Sequence, residues 1–265
     1  MVAKVMNWIP PLDLGPRRAL AVWRRNFKVW RRLAIPSLLG NLADPLIYLL
    51  GLGFGLGALL PDVGGVSYIT FLATGTVAFS TMNAATFESL YSGFARMHQQ
   101  KTWETIMNGP MSLDDVMVGE LMWSATKSLF SGGAILLVIA ACGLVSWQAA
   151  IAALPLVLLT SFCFAGLGYI ATALAPGYDF FMYWFTLFIS PMAMLSGVFF
   201  PLDQLPAALR VITDWLPLSH AIGAMRPLLL GQAIPGLGLH ALVLAAYGLG
   251  GFVIARALMR RRLLR

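Results

Sequence analysis

The stretch SGVFFPLDQLPAALRVITDWLPLSHAIGAMRPLLLG, residues 196–231, is mostly apolar and lies between two longer apolar runs. Prolines divide it into pieces of about ten residues, roughly half the length of a membrane-spanning helix. These prolines are Pro201, Pro206, Pro217 and Pro227. We therefore predict a re-entrant helical hairpin at residues 201–231 rather than a span. Because lipid offers no hydrogen-bond partner, we expect other parts of the protein, or a water-filled cavity, to satisfy the freed backbone groups.

The composition is that of an integral membrane protein. Of the 265 residues, 59% are hydrophobic and 11% are charged, whereas soluble domains carry about 25% charged residues. The net charge of +7 comes mostly from Lys and Arg near the two ends of the chain, so we attribute it to orientation in a membrane rather than to nucleic-acid binding. Cys142 and Cys163 lie within apolar runs and are predicted to be small buried side chains.

The apolar segments predict an all-α integral membrane protein with six transmembrane helices in a single domain, residues 1–265. The predicted spans are residues 34–60, 67–91, 113–144, 149–175, 180–200 and 238–258. Lys and Arg are frequent before the first span, after the second and after the sixth, and the turns after the first and third spans have none. Cytoplasmic loops carry this excess, so we predict that both termini are cytoplasmic and that the hairpin between spans five and six lies outside.

Residues 17–33 predict an N-terminal amphipathic interfacial helix. At helical spacing its basic residues fall on one side and its aromatic residues on the other. We expect the basic side to meet lipid headgroups or a partner, and the aromatic side to lie in the acyl boundary. A solvated helix is less consistent with the aromatic spacing. The residues assigned to this interfacial helix are Trp23, Arg24, Phe27, Trp30 and Arg31.

Residues 94–110 predict a second amphipathic helix, between spans two and three, that ends at Gly109 and Pro110. Its apolar face carries Trp103, Ile106 and Met107. Such a face needs a cover, so we expect it to contact either the 17–33 helix or a groove on a partner. Directly afterwards, Ser112-Leu113-Asp114-Asp115 resembles a capping box that begins span three.

A few charged and small residues within the spans are informative. Asp44 in the first span is predicted to have a structural partner rather than a substrate contact. Glu120 is expected in the cytoplasm or headgroups, and Lys127 is expected to extend to the interface. Gly51, Gly53, Gly55 and Gly57 have the spacing typical of close helix approach.

Several of these features together resemble the permease subunit of type-two ABC exporters. They are the basic and aromatic lead-in, Asp44-Pro45-Leu46-Ile47-Tyr48-Leu49-Leu50 with the glycines behind it, the Arg96 to Pro110 loop, and the 197–231 hairpin with Phe200-Pro201 and Leu216-Pro217-Leu218-Ser219-His220. The start of span one is most similar to nodulation-type permeases that export lipo-oligosaccharides. Drug-export and polysaccharide-export relatives share the hairpin motif.

The resemblance implies a homodimer in the bacterial inner membrane that works with two copies of a separate ATP-binding subunit, which holds ATP and magnesium. It implies export of an amphipathic substrate along the dimer interface. By the same resemblance, the ATPase-coupling residues are Arg96, Lys101, Trp103, Glu104, Ile106 and Met107. Candidates for the substrate path are Asp44, Tyr48, Tyr183, Trp184, Phe188, Phe199 and Phe200. Asp44 departs from the glutamate that often precedes the proline in this family.

Other classes of protein fit the sequence less well. None of the lysines Lys4, Lys28, Lys101 and Lys127 follows a glycine, so the chain has no Walker A loop of its own. A secondary transporter would need coupling-ion sites in corresponding places of two repeats, and the broken segment occurs once. An intramembrane enzyme would need a catalytic constellation, and His98, His220 and His240 are scattered. No metal site or cofactor is predicted in this chain.

Overall fold

Our computed structural model describes residues 11–60 and 62–264, apart from the side chains of Asn41 and Asp44. The described chain is almost entirely helical, which confirms the predicted class. The helices are α1 (Pro16–Arg31), α2 (Ala34–Gly55), α3 (Tyr68–Phe87), α4 (Thr102–Met107), α5 (Leu113–Ala141), α6 (Trp147–Leu174), α7 (Asp179–Trp184), α8 (Ser190–Leu195), α9 (Ala207–Thr213), α10 (Pro217–Leu229) and α11 (Leu237–Leu263).

Shorter elements join the helices. The π-helical turns Glu88–Gly93 and Ala95–Gln99 continue α3, another at Phe185–Ile189 joins α7 to α8, and Leu202–Gln204 is a 3-10 turn. Between α2 and α3, strands β1 (Asp62–Val63) and β2 (Val66–Ser67) pair antiparallel, with Val63 opposite Val66. Gly64 and Gly65 both have positive φ, 64° and 82°, which a two-residue hairpin turn requires.

In the described part of the chain, α2, α5, α6 and α11 are long and apolar enough to cross a membrane. The apolar segment Asp179–Leu195 is shorter than these four. It ends before the predicted boundary at residue 200, because Gly197 turns the chain with φ 79°. The helix α3 is not one of these four, and Ser and Thr side chains recur along it.

The start of α5 is as predicted. Ser112 Oγ accepts from the Asp115 backbone N–H at 3.1 Å, and Asp115 Oδ2 accepts from the Ser112 N–H at 2.9 Å. This is the reciprocal capping box, with Asp where Glu is usual. The box gives the long helix a fixed first turn, from which the site described below extends.

The helix α6 lies at the centre of the bundle, where it contacts α3, α5, α10 and α11. It approaches the backbone of α11 closely, because a Cβ at Gly166 would lie 2.5 Å from Gly248 O. By contrast, nothing lies within 4 Å of a Cβ at Gly51 or Gly55. These two glycines therefore make no close helix approach within the described chain, and α2 is peripheral, with 12% of its most apolar 18-residue stretch buried.

The predicted single helix over residues 94–110 is wrong. Helical structure continues from α3 to Gln99, and α4 is a separate helix of six residues. Lys101 separates the two with φ 49°, an unusual conformation for a residue with a side chain. After the break, α4 contacts both α5 and the turn Ala95–Gln99.

The aromatic side of α1 packs on α5 rather than lying in the acyl boundary, so that prediction is also wrong. Trp23 Nε1 donates to Thr126 Oγ1 at 3.0 Å, and the Trp30 ring stacks on Phe130 at 5.2 Å. The apolar flank of α5 supplies the cover that lipid was expected to supply. Phe27 stacks on Trp23 within the same aromatic cluster, while Arg24 and Arg31 are exposed on the opposite side.

Prolines organise residues 196–231, which we call the hairpin segment, in most places as predicted. The 3-10 turn follows Pro201, α9 follows Pro206, and Pro217 is the first residue of α10. Pro227 is the exception because it lies inside the last turn of α10 and does not end it.

Protein side chains satisfy the freed carbonyl groups of the hairpin segment, as expected. The contacts are Tyr68 Oη to Phe199 O at 3.1 Å, Arg226 Nη2 to Gly197 O at 2.8 Å, Arg210 Nε to Leu205 O at 2.8 Å, His220 Nε2 to Asp214 O at 2.9 Å and Tyr247 Oη to Trp215 O at 2.8 Å.

Candidate functional site

Four charged side chains meet between α3, α5 and the turn before α4. Glu88 and Arg96 lie on the π-helical continuation of α3, and Glu120 and Lys127 lie two turns apart on one face of α5. We call these four residues the ion network. The carboxylates are almost fully buried, with 2% of the Glu88 side chain and none of the Glu120 side chain exposed.

Arg96 is the centre of the ion network. Its Nη2 and Nε donate to the Glu120 carboxylate at 2.6 and 3.0 Å, and its Nη1 lies 2.9 Å from Glu88 Oε1. Lys127 Nζ donates to Glu88 Oε2 at 2.6 Å. Two cations therefore balance two carboxylates, which is the condition for burying such charges.

Aromatic donors complete the coordination of both carboxylates. Trp103 Nε1 donates to Glu120 Oε1 at 3.2 Å, and Tyr169 Oη donates to Glu120 Oε2 at 3.4 Å. Trp123 Nε1 donates to Glu88 Oε1 at 2.8 Å. These contacts join α3, α4, α5 and α6 at one place.

These positions correct three predictions. Trp103 is fully buried against α5 and α6, and not against the 17–33 helix as one alternative had it. Glu120 lies inside the helix bundle rather than in solvent or headgroups, because Arg96 compensates its charge. Lys127 does not extend to the interface, since it forms an ion pair with Glu88.

The short helix α4 consequently has an inner and an outer side. Trp103 faces inward, where its ring lies 6.3 Å from that of Tyr169, and Ile106 and Met107 pack partly buried against the core. Glu104 and Lys101 are on the outer side, with 49% and 69% of their side chains exposed and their charges 3.9 Å apart. Within the chain, Trp103 is thus covered by Glu120 of α5 and Tyr169 of α6, where the 17–33 helix or a partner's groove was expected.

A second ionic cluster joins the two ends of the described chain to the start of α5. Arg256 donates to both oxygens of Asp114 at 2.7 Å, and Arg260 lies 3.6 Å from the same carboxylate. Arg18 lies 2.8 Å from Asp115, which also accepts from the Gly15 N–H at 2.7 Å. This cluster fixes α1 and α11 beside the ion network.

The substrate-path candidates fall into two places. Trp184 and Phe188, with rings 4.6 Å apart, line an apolar cleft of about 580 Å³ between α6, α8, α9 and α11. Tyr48 and Phe199, with rings 5.6 Å apart, line a smaller cavity of about 260 Å³. Of the others, Tyr183 is 60% exposed, and Phe200 packs half-buried against the core. The Asp44 side chain lies outside the described residues.

The histidines have structural partners. His220 Nδ1 and His240 Nδ1 are 2.9 Å apart, and the other His220 nitrogen contacts the Asp214 carbonyl. Among the residues that the structure describes, no group of three or more His, Cys, Asp or Glu could hold a metal ion.

Glu88 is the site residue that sequence reasoning missed. It lay inside the predicted second span, and a carboxylate there requires a partner. That rule would have directed attention to the nearby Arg96 and to Lys127. The aromatic donors Trp123 and Tyr169 gave no such signal because they also fit ordinary packing.

The long apolar helices, the broken hairpin segment and the short helix bound to the core agree with the permease of a transporter. Residues 17–230 match the ABC-2 type transporter family, and the chain belongs to this family.

Relatives of the chain carry a more particular name. It is 48% identical to Nodulation protein J of Rhizobium leguminosarum bv. viciae over 97% of this chain and 99% of the relative. It is 49% identical to Nodulation protein J of Rhizobium meliloti (strain 1021) over 92% of this chain and 94% of the relative. Inner membrane transport permease YadH of Escherichia coli (strain K12) is more distant, at 24% identity over 78% of this chain and 80% of the relative. The predicted resemblance to nodulation-type permeases is confirmed.

Proposed function

We propose that this chain is the membrane-spanning subunit of an ATP-driven exporter in the bacterial inner membrane. Its substrate is amphipathic, a lipo-oligosaccharide or another glycolipid, which moves from the cytoplasmic side outward. Energy comes from two copies of a separate subunit that binds ATP and magnesium. The observation that carries the proposal is the arrangement of α4. Trp103 binds its inner side to Glu120, and Glu104 and Lys101 are exposed on its outer side.

The ion network supports a coupling role for α4. A displacement of α4 moves Trp103 against Glu120, whose partner Arg96 belongs to the continuation of α3. Because the carboxylate and the guanidinium are buried, separating them would leave an uncompensated charge. The helices therefore move together with α4 when the ATP-binding subunit changes conformation.

A charge reversal on the outer side of α4 tests this contact. Glu104→Arg should reduce the ATPase activity that co-purifies with the chain from its native membrane, and leave the elution of the chain itself unchanged. Asp203→Arg in the hairpin segment makes the same charge change at an exposed position and serves as the control. Loss of ATPase activity in both variants, or in neither, would contradict the role of α4. The chain purified alone should hydrolyse no ATP.

The cleft at Trp184 and Phe188 supports an amphipathic substrate. It is apolar, about 580 Å³ in volume, and Trp184 Nε1 has no hydrogen-bond partner among the described residues. Such a cleft fits an acyl chain, with the indole N–H left for one polar group. In proteoliposomes holding the complex, an acylated oligosaccharide should be transported and its deacylated form should not. Transport of the deacylated form would favour the alternative, a polysaccharide exporter, and transport of apolar drugs would favour a drug exporter.

The proposed topology has six spans, both termini cytoplasmic, and a re-entrant hairpin at residues 201–231 on the outer side. It adds α3 and the segment Asp179–Leu195 to the four long apolar helices. Single cysteines replacing Asp203 or Gln204, in a chain lacking Cys142 and Cys163, should react with an impermeant thiol reagent added outside. A cysteine replacing Lys101 should not, and labelling there instead would invert the topology.

A homodimer is part of the same proposal, and α2 is the candidate interface. It is the least buried of the four long apolar helices, and its Gly51 and Gly55 face open space within the protomer. Small residues at this spacing allow two helices to approach closely. Gly51→Leu should weaken dimerisation in detergent, whereas Gly133→Leu on α5, whose nearest neighbour is a side chain at 3.9 Å, should not.

A further inference from the structure

A cavity of about 290 Å³ lies between α1, the continuation of α3 and α5, beside the ion network. Three cationic side chains line it, Arg25, Arg96 and Lys127, together with one carboxylate, that of Glu88. The remaining lining residues are Asn26, Val29, Trp30, Ser92, Ala95, Gln100 and Trp123.

The charges around this cavity do not cancel. The Glu88 carboxylate is occupied by Arg96, Lys127 and Trp123, and Glu120 holds Arg96 from the other side. Arg25 is the additional cation. Its Nη1 donates to Asn26 Oδ1 at 2.9 Å, and it takes part in none of the ion pairs found within the described residues.

The second observation is an amide donor without an acceptor. Asn26 is 4% exposed, and its Nδ2 has no hydrogen-bond partner in the described part of the chain. Its Oδ1 accepts from Arg25, and its Nδ2 donors remain for a ligand in the cavity that Asn26 lines. A buried donor of this kind destabilises the empty protein and favours a ligand with acceptor oxygens.

We propose that this cavity binds the phosphodiester group of an anionic phospholipid. The Arg25 guanidinium supplies the charge, and the Asn26 amide supplies a neutral donor beside it. Both groups lie on α1, outside the apolar spans. Burial lowers the pKa of Arg25, and the neighbouring Arg96 acts in the same direction, although Glu120 opposes them. A bound phosphate would compensate the burial of this charge.

The surroundings of the cavity favour a lipid over free phosphate. Val29 is 58% exposed and lines the same cavity with Trp30, which gives an apolar edge for the glycerol and acyl parts. On the same face of α1 as Arg25, Lys28 and Arg32 are also exposed and can meet an anionic surface. Binding at this site is independent of the proposed export function, because it needs neither ATP nor a transported substrate.

The test measures binding of fluorescent phosphatidylglycerol to the full-length chain, delipidated in a neutral detergent. We expect saturable binding of one lipid per chain and weaker binding of phosphatidylcholine. Asn26→Asp places a carboxylate beside Arg25 with almost no change of shape, and should weaken binding about tenfold or more, as should Arg25→Gln. Arg24→Gln, an exposed arginine one residue away, should change affinity by no more than about twofold.

Several outcomes would overturn the site. Equal losses of lipid affinity in Arg24→Gln and Arg25→Gln would show diffuse attraction to the basic helix. Unchanged affinity in Asn26→Asp would show that the cavity is not the binding site. Equal affinity for inorganic phosphate and phosphatidylglycerol would assign the ligand to free phosphate instead of a lipid. Each variant is checked by its elution profile. If Arg25→Gln does not fold, Arg25→Lys, which keeps the charge and should retain binding, is compared with Asn26→Asp.

Discussion

Helical structure is interrupted around Lys101 and in the hairpin segment, and these two interruptions are stabilised by different chemistry. Around Lys101, buried ions hold the segment, with Arg96 between Glu88 and Glu120. In the hairpin segment, side chains donate to backbone carbonyls, as Arg226 does to Gly197. One region pairs full charges, whereas the other supplies donors to neutral acceptors.

This difference has consequences for how each region responds to change. A buried ion pair that loses one member leaves an uncompensated charge, which is strongly unfavourable. A neutral carbonyl that loses its donor leaves an unsatisfied acceptor, which costs about 1–3 kcal/mol, less than an uncompensated buried charge. We infer that the region of the ion network moves as a unit, and that the hairpin segment can rearrange one contact at a time.

The largest effect is expected at Glu120. Glu120→Gln keeps the shape of the side chain but leaves the buried Arg96 with a single carboxylate, Glu88. We expect the free energy of unfolding in detergent to fall by about 3–5 kcal/mol. Glu104→Gln removes a half-exposed carboxylate nearby, and should change the free energy of unfolding by no more than about 0.5 kcal/mol. Equal effects of the two substitutions would show that burial of the charge does not matter here.

A smaller effect is expected at Trp103, which carries the contact from α4. Trp103→Phe keeps an aromatic ring but removes the N–H that donates to Glu120 at 3.2 Å. Since the acceptor is charged and buried, we expect a loss of about 2 kcal/mol in unfolding free energy. In the Glu120→Gln background the same substitution should cost less, because the acceptor is no longer charged. Strict additivity of the two substitutions would contradict a direct contact.

How far the sequence predicts this molecule differs between its parts. The length of the apolar runs predicted α5, α6 and α11, and the capping box of Ser112 and Asp115 predicted the start of α5. Both signals are local in the sequence. The partners of buried charges are not local. Glu88 and Lys127 are 39 residues apart, and Asp114 and Arg256 are 142 residues apart. No periodicity within a helix specifies such pairs.

The count of basic residues illustrates the same limit. It treats every Lys and Arg as a marker of orientation, yet Arg96 and Arg256 are internal partners of carboxylates. Arg262 donates to the Ala175 carbonyl at 2.7 Å at the end of α6. Likewise, the aromatic spacing of α1 was recognised, but spacing alone does not distinguish lipid from the flank of α5 as the covering surface.

In the hairpin segment, Arg226 is expected to show an intermediate effect. Its guanidinium donates to Gly197 O and Thr74 Oγ1 and stacks on Phe71 at 3.8 Å. Lysine keeps the charge but not the planar fork, so Arg226→Lys should lower the unfolding free energy by about 1.5 kcal/mol. Arg24→Lys, at an exposed position of α1, is the control and should have no measurable effect. A loss as large as that of Glu120→Gln would mean that the two interruptions do not differ as we infer.

The smallest effect is expected at Tyr247, whose hydroxyl donates to the Trp215 carbonyl at 2.8 Å. This contact joins α11 to the turn between α9 and α10, and it is exposed, so water can replace the donor. Tyr247→Phe should therefore lower the unfolding free energy by about 0.5–1 kcal/mol. Tyr183→Phe removes a hydroxyl from a ring that is 60% exposed, and should change nothing. Amide hydrogen exchange gives the sharper measurement, because the loss should appear as faster exchange confined to α9 and the turn after it. Faster exchange that extended to α4 and α5 would show that the hairpin segment and the ion network respond together, and would remove the distinction between them.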